Sequence, residues 1–74
     1  MAGKLTEQEV QQIATPIIRK YDWRTEQYGY GVKLIVTDGV KDASVVITGD
    51  EDIEAEIDRL IKAVDAHEYG DLEG

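Results

Sequence analysis

Cysteine is absent from the chain. That absence excludes disulfide staples, thiolate chemistry and any zinc site built on sulfur, and it suits a reducing compartment such as the cytoplasm. Serine and histidine occur once each, as Ser44 and His67, so nucleophilic catalysis has almost no raw material. Ser44 is predicted on the outer face of a strand, and His67 at a helix end where its charge would complement the dipole. Both are expected to be ordinary surface residues, with no catalytic residue and no cofactor. Long apolar runs are missing too. The longest, Leu34 to Val36 and Val45 to Ile47, span three residues, so neither a secretory signal nor a membrane span is expected.

Positive charge is scarce, with 8 Lys and Arg against 16 Asp and Glu and a net charge of −8. Residues 1–24 sum to +1, residues 25–48 to −1 and residues 49–74 to −8. A field of this sign repels nucleic acid and anionic membranes and attracts basic surfaces, although solvation alone commonly accounts for it. With 74 residues the chain makes one modest domain, because a domain of about 60 residues buries only about 60% of its unfolded surface. The single domain is expected to have an ordered core over about 5–66 and a frayed acidic tail over 67–74.

Leu5, Thr6, Glu7, Gln8, Glu9 and Val10 carry a complete helix start. Thr6 is the N-cap, Glu9 closes a capping box, and Leu5 and Val10 staple the entry. Val10, Ile13, Ala14, Ile17, Ile18 and Tyr21 then recur on one helical face, which predicts a helix over 7–21. Pro16 must bend it, since proline has no amide hydrogen and its ring crowds the preceding turn. A new helix capped by Thr15 is the alternative; the unbroken apolar phase favours one kinked helix.

After a polar connection, Tyr28, Tyr30, Val32, Leu34 and Val36 alternate with Gly29, Gly31, Lys33, Ile35 and Thr37, the period of a strand with one buried face. Ala43 to Thr48 form a second, β-branched strand, and the pair reads as a hairpin. A tight Asp38-Gly39 turn would set Lys41 opposite Val36 on the core face. A four-residue loop from Asp38 to Lys41 instead pairs Val36 with Ala43, Leu34 with Val45 and Val32 with Ile47, and it is favoured for that reason. Thr48 to Glu51 offer a second capping box, and Ile53, Ile57, Leu60, Ile61 and Val64 make the stripe of a helix over about 50–66. The predicted fold is α+β, in the order α-β-β-α, with the antiparallel hairpin packed against two helices in two layers.

Asp50, Glu51, Asp52, Glu54, Glu56 and Asp58 crowd the second helix. On a helix they fan outward; Glu54 and Asp58 share a face, but a calcium loop needs other spacing and a glycine, so no metal site is expected. Gly29-Tyr30-Gly31 lacks the third glycine and following helix of a dinucleotide loop. The most informative cluster is Arg19, Lys20, Tyr21, Asp22, Trp23 and Arg24, followed by Tyr28 and Tyr30. Tyrosine, tryptophan and arginine dominate binding hot spots, and they are equally suited to closing the end of a small core.

A protein-interaction module acting as a small regulator or adaptor is therefore the leading expectation. Its candidate contact residues are Arg19, Lys20, Trp23, Arg24, Tyr28, Tyr30, Glu54 and Asp58. The alternative is an acidic nucleic-acid mimic, of the phage anti-defence type, whose second helix imitates a phosphate row and blocks a nucleic-acid-binding protein. Direct nucleic-acid or membrane binding is not expected. A symmetric homodimer joined edge to edge through the hairpin is, because a lone hairpin leaves both strand edges unpaired and neither strand contains a proline.

Overall fold

The computed structural model describes residues 4–50 and 52–72. The chain enters α1 (Glu7–Ile17) through Thr6, whose backbone is extended and whose hydroxyl accepts the Glu9 N–H at 3.4 Å. The same hydroxyl donates to Glu9 Oε1 at 3.1 Å, so the N-cap and its third residue clasp each other through their side chains. Leu5 and Val10, the expected staple, are both buried in the core.

The helix stops at Ile17 instead of running to residue 21. Pro16 stands inside its last turn and withholds the amide that would continue the ladder. Ile18 then turns extended while its N–H still reaches the Ala14 carbonyl at 2.8 Å. The apolar period nonetheless holds through Ile18, which is buried from a non-helical backbone.

The residues read as a polar connection, together with Tyr28 from the strand expected after it, form a strand of their own, β1 (Asp22–Tyr28). It pairs antiparallel with β2 (Gly31–Thr37), which pairs antiparallel with β3 (Asp42–Ile47). After α2 (Ile53–Asp65) the chain returns as β4 (Gly70–Asp71), parallel to β3. The protein is thus α+β, with two helices and a four-stranded mixed sheet in the order β1-β2-β3-β4. The expected α-β-β-α succession is corrected by β1 and β4, which the hairpin reading lacked. The free edges move with it: β1 fills the outer edge of β2, and β4 covers part of β3.

The β2–β3 register is the one the alternation demands, with Val32 opposite Ile47, Leu34 opposite Val45 and Val36 opposite Ala43. The loop closes through Asp38 N–H to the Lys41 carbonyl at 3.1 Å, and Asp38 Oδ1 accepts the Val40 and Lys41 amides at 2.9 and 3.0 Å. Gly31 is required where β2 begins, since a Cβ there would lie 2.7 Å from the Ile47 carbonyl oxygen.

α2 is capped by Asp52, whose carboxylate accepts the Ala55 N–H at 3.3 Å; of the expected capping box, Glu51 lies outside the described residues. At its other end His67 adopts a left-handed conformation (φ 60°). Glu68 N–H reaches the Ala63 carbonyl at 2.8 Å and His67 N–H the Val64 carbonyl at 3.0 Å, the bond pair of a Schellman cap in which histidine holds the position usually given to glycine.

One apolar cluster joins Val10, Ala14 and Ile18 to Ile57, Leu60 and Val64 and to the inward residues of β2 and β3. Tyr21 and Trp23 pack at its border, as do Tyr69 and Leu72. Of the segment expected to fray, residues 67–72 are therefore tied down, with Leu72 N–H reaching the Ser44 carbonyl at 2.7 Å, and residues 73–74 lie outside the described residues.

Candidate functional site

Strand alternation takes the aromatic-basic cluster apart. Trp23 faces inward opposite Val36, half-buried against the core, while Arg24 points to the other face opposite Ile35. Arg19 and Lys20 lie in the connection before β1. Tyr28 and Tyr30 stand at its far end, about 20 Å away at the rise of an extended strand. Six residues adjacent in sequence are thus shared among a loop, the core edge and the open side of the sheet.

The basic members mostly serve the fold. Arg19 Nε donates to the Pro16 carbonyl at 3.3 Å, and Lys20 Nζ lies 2.9 Å from Asp65 Oδ1 and 5.4 Å from the Tyr21 ring centre. The Tyr21 hydroxyl donates to the same Asp65 carboxylate. That hydrogen bond, with Lys20 adding to it, holds Asp65 below the ordinary carboxylate range, and the same bond pushes the Tyr21 phenol up against the opposing pull of Lys20. The loop after α1 is in this way clasped to the end of α2, around a shallow recess of about 260 Å³ walled by Ile17, Tyr21 and Ile61.

A second clasp has no signal in the sequence. The Tyr69 hydroxyl donates to Asp38 Oδ2 in the β2–β3 loop, His67 Nδ1 lies 3.1 Å from the same hydroxyl, and Lys41 sits 5.7 Å from the Tyr69 ring centre. The Tyr69 bond, followed by the Lys41 and Val40 amides, lowers the Asp38 pKa from 3.8 to about 2. A depressed folded-state pKa means that this contribution is whole above pH 3.8 and is lost as pH falls through about 2. Protection of the amides of residues 68–72, corrected for intrinsic exchange, should therefore fall as pH drops from 3.8 to about 2, and Asp38→Asn should remove that acid limb. Protection of these amides that stays constant over that range would show that Tyr69 does not hold Asp38.

The face of the sheet away from the buried cluster carries Arg24, Glu26 and Tyr28 from β1, Lys33 and Ile35 from β2, and Ser44 and Val46 from β3. Ser44 is buried there because β4 lies alongside it, and its hydroxyl donates to Asp71 Oδ1 at 2.7 Å. Lys33 Nζ approaches the same carboxylate at 3.9 Å. Tyr28, Lys33, Val46 and Leu72 border a recess of about 70 Å³, room for little more than a small side-chain tip. Beyond it Tyr28 is 59% exposed and Tyr30, in the turn after β1, 82% exposed, so two large aromatic rings stand in solvent at one end of the sheet. The alternation puts Ile35 and Val46 on this side but Tyr28 and Tyr30 on the buried one; β2 begins only at Gly31, and Tyr28, as the last residue of β1, comes to this face instead.

Glu54 and Asp58 are exposed on α2, as expected, but Asp58 is engaged by Lys62 at 2.9 Å, and its neighbour Glu56 by Arg59 at 3.2 Å. Among the described residues no three His, Asp or Glu side chains converge as metal ligands do, and no helix is long and apolar enough to cross a membrane. Comparison with models of known families, with curated proteins and with solved structures finds no match.

Proposed function

We propose that the chain is a non-enzymatic protein-interaction module, a small cytoplasmic regulator or adaptor, which seats a protein partner on the Tyr28–Tyr30 end of the helix-free face of its sheet. In this view the fold is two layers: the helices cover one face, and the other is kept for contact. The observation that carries it is the exposure of Tyr28 and Tyr30 (59% and 82%). Tyrosine brings large area, few rotatable bonds and a polar tip, the combination found at binding hot spots. Val46 adds apolar surface beside them, and Lys33 and Arg24 supply polar contacts.

The nucleic-acid mimic draws on less. Its row of acids on α2 is interrupted by Lys62 and Arg59, which neutralise Asp58 and Glu56 within the helix. The two readings separate in a binding experiment with the immobilised chain. The Tyr28→Ala/Tyr30→Ala double variant should lose the captured partner at least about tenfold, as hot-spot truncation does, while Glu54→Gln/Asp58→Asn retains it at low and high salt. The reverse pattern, with binding that collapses as salt rises, would favour the mimic. Trp23→Ala is unsuited to this comparison, because Trp23 packs at the core edge and its loss would report on folding.

A further inference from the structure

We infer that β1 is a self-recognition edge: two copies of the chain pair antiparallel through Asp22–Tyr28 about a twofold axis at Thr25, joining their sheets into one. This goes beyond the proposed docking face and does not depend on it. β1 ends the sheet, is seven residues long and contains no proline. Among the described residues no backbone hydrogen bond reaches it from the side away from β2. The other edge is shorter, since β4 lies along Ala43 and Ser44 and leaves only the end of β3 open.

Geometry restricts how such an edge meets its copy. Antiparallel strands that extend a sheet are related by a twofold axis normal to it, and facing residues must then point to the same side, so the axis passes through a residue. Each choice of residue fixes every pair. An axis at Arg24 sets Arg24 against Arg24 and Asp22 against Glu26; an axis at Glu26 sets Glu26 against itself. Like charges directly opposite are destabilising. An axis at Trp23 or at Gln27, nearer either end, leaves most of the strand unpaired.

The axis at Thr25 pairs the whole strand and sets Arg24 and Glu26 against their opposites. Arg24 faces Glu26 of the copy, Glu26 faces its Arg24, and Asp22 faces Tyr28. Charges on an edge strand ordinarily keep other strands away. Here their order reads as its own complement, which rejects shifted registers and accepts one. The centre of the strand is also held in place: the Thr25 hydroxyl donates to Glu7 Oε1 at 2.9 Å and accepts from Gln11 Nε2 at 2.8 Å, both from α1. A strand fixed before the encounter loses less freedom on pairing.

Charge exchange tests the register as well as the association. Sedimentation equilibrium of the full chain across the micromolar range should give the mass of two chains. Arg24→Glu and Glu26→Arg should each dissociate about tenfold more readily, since each variant replaces two attractive facing pairs by two repulsive ones. An equimolar mixture of the two variants should regain the wild-type affinity, because both facing pairs are again of opposite sign. Both substitutions are at exposed positions, and circular dichroism confirms that the variants fold. In the cysteine-free chain, Thr25→Cys should cross-link to its copy on mild oxidation, the facing Cα atoms being about 4.5–5.5 Å apart. Glu26→Cys should not, its nearest equivalent being a diagonal neighbour about 7–8 Å away. A constant mass of one chain, no recovery on mixing, or cross-linking through residue 26 in preference to 25 would each overturn the inference.

Discussion

Ile57→Asp is expected to unfold the protein. Ile57 is fully buried on α2, in the cluster that also holds Leu34, Ile47 and Val10. A carboxylate there has no partner, and it must be buried unpaired, bind a proton or drag α2 away from the sheet. Each route costs several kcal/mol. At about 0.05–0.15 kcal/mol per residue, a domain this small has only about 4–11 kcal/mol in total. The thermal transition should be lost or fall far below that of the wild type, while Asp58→Asn, one residue along and exposed, should melt nearly as the wild type. A wild-type-like transition for Ile57→Asp would remove α2 from the core.

Ending the chain after His67 is expected to destabilise it by about 2 kcal/mol, although composition marks those residues as a tail. The deletion takes away Tyr69 and Leu72, both packed against the core, together with the Ser44 contact to Asp71 and the clasp onto Asp38. Half-burial of two such side chains is worth about 1 kcal/mol each, and the ordering entropy of the segment offsets part of the hydrogen bonding. Denaturant unfolding of the shortened chain measures the difference. No change in midpoint would mean that β4 and its neighbours contribute nothing to the fold.

The parts of this architecture that were legible are those governed by apolar alternation. β2 and β3 turn Val32, Leu34, Val36, Ala43, Val45 and Ile47 to the core, and placing Lys41 outside it is enough to choose both loop and register. β1 was not legible because its inward residues are Trp23, Thr25 and Gln27, and the last two meet polar partners: Thr25 the side chains of Glu7 and Gln11, Gln27 the Leu5 carbonyl at 2.8 Å. A strand whose inner face is satisfied by hydrogen bonds shows no hydrophobic period. β4 is two residues long and parallel, too short for any period; Tyr69 and Leu72 were its only signals. The end of α1 is not legible in the sequence, because Ile17, Ile18 and Tyr21 stay in helical phase although the backbone leaves the helix after Ile17, so that burial alone does not report conformation.

The candidate site shows the same limit. Nearness in sequence suggested one patch from Arg19 to Tyr30, yet without β1 there was no means of seeing that Trp23 and Arg24 lie on opposite faces. Tyr28 and Tyr30 remain of that patch as exposed aromatic surface, and Lys33 and Val46 join them across the sheet.

The central claim is that a partner docks at the Tyr28–Tyr30 end of the sheet, and site-specific photo-cross-linking in the living cell tests it most directly. A photoreactive phenylalanine analogue placed at Tyr30 should yield a covalent adduct with one distinct protein, and the same group at Glu54 should yield none. An adduct from Glu54 and none from Tyr30 would contradict the claim and move the contact surface to α2.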